Sequence, residues 1–73
     1  METKTIRAVK LLDGRIRAEI IVYVRETEER MAYPIRNAKG QVPWADIDGA
    51  RHDLTEREVR KLKELLKELM TEV

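Results

Sequence analysis

The chain has 73 residues, of which 40% are charged, and it contains no cysteine. This length predicts one small domain over residues 1–73, which buries only about 60% of the surface exposed in the unfolded chain. The absence of cysteine excludes disulfides and thiolate metal sites, and no apolar run approaches the ~20 residues of a membrane span. We therefore expect a soluble, cytoplasmic protein without cofactor, metal or membrane partner, present as a monomer or homodimer.

The net charge of +1 conceals an uneven distribution along the chain. Residues 1–41 contain nine Lys or Arg and six Asp or Glu, a net of +3. Residues 42–73 contain six and eight, a net of −2, and the two values sum to +1.

Asp13 and Gly14 separate two runs of alternating apolar residues, at about 3–12 and 15–26. Asp-Gly is favoured in two-residue type I′ turns, because both turn residues need a positive φ. Such a turn predicts a hairpin in which Leu11 faces Ile16. The core face of this hairpin would then consist of Val9, Leu11, Ile16, Ala18, Ile20, Val22 and Val24.

A third strand is predicted at about 30–36, after a four-residue turn at 26–29. This turn places Arg25 opposite Arg30, and it puts Met31, Tyr33 and Ile35 on the core face. Pro34 cannot donate a hydrogen bond to a neighbouring strand, which favours an edge strand. The next segment, residues 37–53, is predicted to be a long loop, or a loop with a short helical turn, that tucks Val42, Trp44 and Ile47 against one end of the core.

A C-terminal helix is predicted at about 56–72. Thr55 and Glu58 have the spacing of a capping box, and Leu54 and Val59 have that of a hydrophobic staple. An apolar stripe follows, formed by Val59, Leu62, Leu65, Leu66, Leu69 and Met70. Because one apolar sheet face and one apolar helix stripe must cover each other, the predicted fold class is α+β: a three-stranded antiparallel β-meander packed on one helix.

The opposite sheet face is predicted to be strongly basic, with seven Lys or Arg against one acid. In the predicted register Lys10 lies opposite Arg17 and Arg25 opposite Arg30, and each like-charged pair should cost some tenths of a kcal/mol. A phosphate backbone would relieve this repulsion, and Tyr23 could stack on a base. The leading hypothesis is therefore a non-enzymatic module that binds nucleic acid through Lys10, Arg15, Arg17, Tyr23, Arg25, Arg30 and Arg36.

The predicted layout, three strands followed by a helix, resembles the arm-binding domains of tyrosine integrases and the plant AP2 domains. No sequence motif accompanies this resemblance of layout. In those families the sheet lies in the major groove of DNA. The resemblance implies that Arg15, Arg17, Tyr23, Arg25, Arg30 and Arg36 read bases or clamp phosphates, with arginine contacting guanine.

Two alternatives stay open. Apolar residues among the arginines also describe a protein interface, which favours a phage-type inhibitor or antitoxin-like module that meets an acidic protein surface. The agreement of turn, cap and staple signals is also typical of a de novo designed domain without an evolved function. An enzyme is the least favoured class, because the chain has no Ser or Cys and His52 is its single histidine.

Overall fold

The computed structural model describes residues 1–37 and 40–71. They form a five-stranded antiparallel sheet, in which the strands follow one another in chain order, and one C-terminal helix. The elements are β1 (Glu2–Lys10), β2 (Ile16–Val24), β3 (Glu29–Arg36), β4 (Trp44–Ile47), β5 (Ala50–Asp53) and α1 (Glu56–Thr71). The α+β class is confirmed, whereas the expected number of three strands was too low.

The β1–β2 hairpin has a three-residue loop in place of the expected two. The Leu11 amide donates to the Arg15 carbonyl at 2.7 Å, and the Gly14 amide donates to the Leu11 carbonyl at 3.0 Å. Gly14 has a φ of +90°, whereas Asp13 does not have a positive φ, so the turn is not type I′. One extra loop residue shifts the register by one and reverses the faces of β1. Ile6, expected outside, is therefore buried opposite Ile20, while Val9 points away from the core.

The β2–β3 turn has the expected four residues but begins one residue earlier, at residue 25. Val24 now faces Glu29, and Tyr23 in place of Arg25 faces Arg30. The register moves by two residues, so the side chains of β3 keep the faces predicted for them. Pro34 does not mark an edge strand: it is the last residue of β3 paired with β2, and the next residue pairs with β4.

Residues 44–53, which were expected to belong to a long loop, form a further hairpin, β4–β5. Ile47 faces Ala50 across the two-residue turn Asp48-Gly49, and both turn residues have positive φ, +52° and +81°. This is the type I′ geometry that the Asp-Gly dipeptide favours. The Tyr33 hydroxyl donates to Asp48 Oδ1 at 3.1 Å, which ties β3 to this turn. Partial burial and the Asp48 carboxylate together raise the pKa of Tyr33.

The sheet curls, so that both of its edge strands approach the first turn of α1. On one side, His52 of β5 contacts Glu58, and on the other, Lys4 and Ile6 of β1 line a cleft with Glu58. Within this curl lies a buried core, which consists of Ile6, Ile20, Val22, Ala45, Leu54 and Leu62. Along the described residues, no helix is long and apolar enough to cross a membrane.

The capping box at the start of α1 is confirmed. The Glu58 amide donates to Thr55 Oγ1 at 3.2 Å, and the Thr55 amide donates to Glu58 Oε1 at 2.9 Å. His52 Nε2 lies 3.1 Å from the same carboxylate. The described part of the helix ends at Thr71, so the expected end at residue 72 lies outside the described residues.

Glu58 should make the stability of the fold depend on acid pH. Partial burial raises the pKa of Glu58, but hydrogen bonds from Thr55 and the His52 contact outweigh it, so the pKa lies below its usual value. A carboxyl with a lowered folded-state pKa stabilises the fold above its unfolded-state pKa, and this stability is lost as the pH falls through the folded-state value. We expect Glu58→Gln to cost about 1 kcal/mol at pH 7, and this difference from the wild type to shrink as the pH falls through the folded-state pKa of Glu58, as measured by urea unfolding.

The matched control for this prediction is Glu56→Gln, which removes an exposed carboxylate from the same helical turn. This control should leave the pH dependence of the wild type unchanged. If Glu58→Gln and the wild type lost stability in parallel from pH 7 to pH 3, the acid sensitivity would arise elsewhere.

Candidate nucleic-acid interface

The strand side chains that point away from the core form a surface that we call the outer face. Side chains alternate along each strand, and the cross-strand register extends the inward positions of Ile6, Ile20 and Ala45 to the neighbouring strands, so the alternate positions are the outward ones. The outer face consists of Thr3, Thr5, Arg7 and Val9 of β1, Arg17, Glu19, Ile21 and Tyr23 of β2, Arg30, Ala32, Pro34 and Arg36 of β3, Trp44 and Asp46 of β4, and Arg51 and Asp53 of β5.

Glu19 is a buried carboxylate on this otherwise solvated surface, only 4% exposed. The guanidinium of Arg7, directly opposite on β1, donates to Glu19 Oε1 at 2.7 Å. Arg17, two residues earlier on the same strand, brings its Nε to 3.3 Å from Oε2. The two arginine side chains remain more than half exposed, so they cover the carboxylate while they keep contact with water.

Tyr23 and Arg30 form a stacked pair at the end of the outer face away from the β1–β2 turn. They are cross-strand partners, and the guanidinium carbon of Arg30 lies 5.1 Å from the centre of the Tyr23 ring. A cation over an aromatic face at this distance is attracted by the ring electrons. The stack holds the Arg30 guanidinium in place without using its hydrogen-bond donors.

Trp44 carries a second stack, with two arginines from the neighbouring strands. The guanidinium carbon of Arg36 lies 5.2 Å from the centre of the indole ring, and that of Arg51 lies 4.5 Å away. Arg51 also donates from its Nε to Asp53 Oδ1 at 2.9 Å. Trp44 therefore does not tuck into the core as expected, because its neighbour Ala45 takes the inward position and is 0% exposed.

Arg30 and Arg36 differ from the other arginines of the outer face. Neither forms an ion pair with a carboxylate among residues 1–37 and 40–71, whereas Arg7, Arg17 and Arg51 each do. Both lie on β3, six residues apart, which corresponds to about 20 Å along a strand. Their donors are thus open to a ligand while aromatic rings restrain their positions.

The structure separates the remaining residues of the predicted site. Lys10 ends β1 opposite Ile16, on the side of the strand that carries Ile6. Arg15 lies in the first turn and donates from its Nε to Asp13 Oδ2 at 2.7 Å. Arg25 lies in the second turn, where its amide donates to the Met1 carbonyl at 3.1 Å. Of the predicted set, Arg17, Tyr23, Arg30 and Arg36 share the outer face.

The like-charged pairs that were expected on this surface do not form. Val9 lies opposite Arg17, and Tyr23 lies opposite Arg30. Counted over its strands, the outer face has five arginines and three carboxylates, in place of the expected seven bases and one acid. It is still basic, but cross-strand repulsion no longer indicates a partner.

Sequence reasoning missed three residues of this surface: Arg7, Trp44 and Arg51. A signal for each was present in the sequence. A three-residue loop at residues 12–14 places Arg7 against Glu19, and a two-residue loop at Asp48-Gly49 places Trp44 and Arg51 on one face.

No family model, curated protein or solved structure matches the chain. The five-stranded sheet also departs from the three-stranded layout on which the resemblance to arm-binding and AP2 domains was based. Across the described ranges, no three His, Asp or Glu side chains are grouped so that they could hold a metal ion. The functional interpretation therefore depends on the outer face itself.

Proposed function

We propose that this chain is a non-enzymatic binding module whose outer face contacts the phosphates of nucleic acid. The observation that carries the proposal is the pair Arg30 and Arg36, which stack on Tyr23 and Trp44 and form no ion pair with a described carboxylate. A guanidinium that is restrained by an aromatic ring loses less freedom when it binds phosphate. Two such groups about 20 Å apart on one strand span roughly six nucleotides along a duplex axis.

The middle of the outer face can contact a ligand but carries little unpaired positive charge. Arg7 and Arg17 are paired with Glu19, and the next row towards Tyr23 contains the uncharged residues Thr5, Ile21 and Ala32. The positive charge of the outer face that has no carboxylate partner among the described residues thus lies at the two ends of β3, at Arg30 and Arg36. Such an arrangement fits a phosphate backbone that crosses the face and touches it at separated points.

The proposal predicts binding with a steep dependence on salt. Neutralisation of one phosphate each by Arg30 and Arg36 gives a log–log slope of about −2, which weakens binding roughly tenfold between about 50 and 200 mM salt. Fluorescence anisotropy with labelled random-sequence duplex DNA, duplex RNA and single strands measures this slope directly. The absence of binding to all of these probes at low salt would contradict the proposal.

A protein partner is the second candidate for the same surface. Arginine and tyrosine are enriched in protein interfaces, and a shallow groove on the outer face is lined by Thr3, Thr5, Ile21, Tyr23 and Arg30. The open donors of Arg30 and Arg36 would then meet carboxylates, so the partner would have an acidic surface. This candidate gains support if nucleic acid does not bind.

A further inference from the structure

The tip of the β1–β2 hairpin carries a leucine that the fold does not use. Leu12 is fully exposed, with a relative exposure of 110%, and Leu11 beside it is 37% exposed. Leu12 occupies the second position of the turn from Leu11 to Gly14, where proline or a polar residue is usual. The fold does not bury this side chain, so its whole apolar surface is available to a partner.

The turn holds this leucine in a fixed position. Two backbone hydrogen bonds, of 2.7 and 3.0 Å, close the loop between Leu11, Gly14 and Arg15. The carboxylate of Asp13 accepts from the Arg15 amide at 3.0 Å and from its Nε at 2.7 Å. The tip is therefore organised before it meets a ligand, which reduces the entropy lost on binding.

Positive charge surrounds the exposed leucine. Lys10 precedes the turn, and Arg15 and Arg17 follow it, while Asp13 is the single acid between residues 10 and 17. Asp13 is paired with Arg15, and the single carboxylate of Glu19 is shared by Arg7 and Arg17, so the hairpin end as a whole keeps a net positive charge. An apolar tip with cationic flanks is complementary to a partner that offers an apolar slot between two rows of negative charge.

We propose that this tip, residues 10–17, enters a groove of duplex DNA and that Leu12 wedges between two stacked base pairs. Lys10 would lie against the phosphates on one side of the opened step. Arg17, whose Nε contacts Glu19 but whose side chain is more than half exposed, would lie against those on the other side. Proteins that insert apolar side chains between base steps kink the duplex and gain contact area in return. This inference rests on the proposed nucleic-acid function and specifies its substrate as a duplex that can be unstacked.

A lipid bilayer fits the tip less well than a base step does. A single acyl chain anchors a protein only marginally, and one leucine buries far less apolar surface than such a chain. A base step, in contrast, accepts one side chain and places phosphates within reach of the flanking cations.

The test compares duplexes that differ in the cost of unstacking. A fully paired duplex and one with a central mismatch are titrated with wild type, Leu12→Ala and Met70→Ala. Met70 is the control because it is a 77% exposed apolar side chain on α1 and does not belong to the hairpin tip. The wild type and Met70→Ala should bind the mismatched duplex about tenfold more tightly, since the mismatch lowers the unstacking cost. Leu12→Ala should bind both duplexes equally.

The outcomes separate this inference from the proposed function. Duplex binding without mismatch preference, or a preference that survives in Leu12→Ala, overturns the wedge and leaves the outer face as the binding surface. No binding to either duplex overturns both. Loss of binding to phosphatidylserine vesicles in Leu12→Ala, with duplex binding unchanged, would assign the tip to lipid and overturn the wedge. Thermal unfolding by circular dichroism should show the same midpoint for all three proteins, because neither side chain is buried.

Discussion

Replacing Arg7 and Arg17 together by methionine is expected to lower the free energy of unfolding by about 3 kcal/mol. Methionine keeps most of the apolar cover over Glu19 but removes both positive charges, so the carboxylate stays buried without a charged partner. Breaking a buried ion pair from one side costs about 3–5 kcal/mol, and the lower value applies because both arginines are more than half exposed. Urea unfolding at pH 7 measures the loss.

A third substitution, Glu19→Met, should restore most of the lost stability. Removing the carboxylate eliminates the unpaired buried charge, and apolar replacements of complete buried ion pairs are often neutral or stabilising. A domain of this size has a total stability of roughly 4–11 kcal/mol, so the double variant should be visibly weakened and the triple variant recovered. If the double variant unfolded at the same urea concentration as the wild type, Glu19 would have to reach water once the arginines are gone.

The helix was predictable from sequence because its signals are local. Thr55 and Glu58 define its start through hydrogen bonds across three residues, and the observed helix begins at Glu56 as expected. The inward side chains of β2 were also predictable, since strand alternation does not depend on the partner strand. Both predictions use information within one segment of the chain.

Strand register was not predictable from the turn dipeptide alone. Asp-Gly occurs twice, and it forms a three-residue loop at residues 12–14 but a type I′ turn at Asp48-Gly49. Charge pairing could have distinguished the two possibilities for the first hairpin. A two-residue loop places Lys10 opposite Arg17, whereas a three-residue loop places Arg7 opposite Glu19, and opposite charges pair favourably across strands. The repulsion expected between Lys10 and Arg17 was therefore a sign that the predicted β1–β2 register was wrong, and it was not evidence for a binding partner.

The same error in register determined how much of the site was predictable. Arg17, Tyr23, Arg30 and Arg36 were assigned to the outer face because β2 and β3 kept their alternation. Lys10 was misplaced because β1 was shifted by one residue. The second Asp-Gly dipeptide was not taken as a sign of a hairpin, so the segment around Trp44 was predicted to be a loop. A large aromatic side chain in a loop is usually expected to pack into the core, and Trp44 was assigned there.

The open arginines should carry most of the binding energy for nucleic acid. Reversing the charge of Arg30 and Arg36 together removes two phosphate contacts and places two carboxylates near the phosphates. Each lost contact reduces the salt slope by about one, so we expect a slope shallower by about two units and an affinity at least roughly hundredfold lower. Both side chains are exposed, so the fold should be retained.

A matched control is available on the helix. Arg57 and Arg60 are also exposed, and they lie on α1 and not on the outer face. Each double Arg→Glu change lowers the net charge by four, from +1 to −3. The two variants therefore share the same overall charge and differ only in where the charge is placed.

The decisive measurement compares the wild type, the Arg30/Arg36 variant and the Arg57/Arg60 variant. It is the affinity of each protein for one labelled duplex at about 50 mM salt, measured by fluorescence anisotropy. If the outer face is the binding surface, Arg30→Glu/Arg36→Glu should lose at least about a hundredfold in affinity, while Arg57→Glu/Arg60→Glu stays within severalfold of the wild type. Equal losses in the two variants, or a larger loss in the helix variant, would contradict the assignment of the nucleic-acid surface to the outer face.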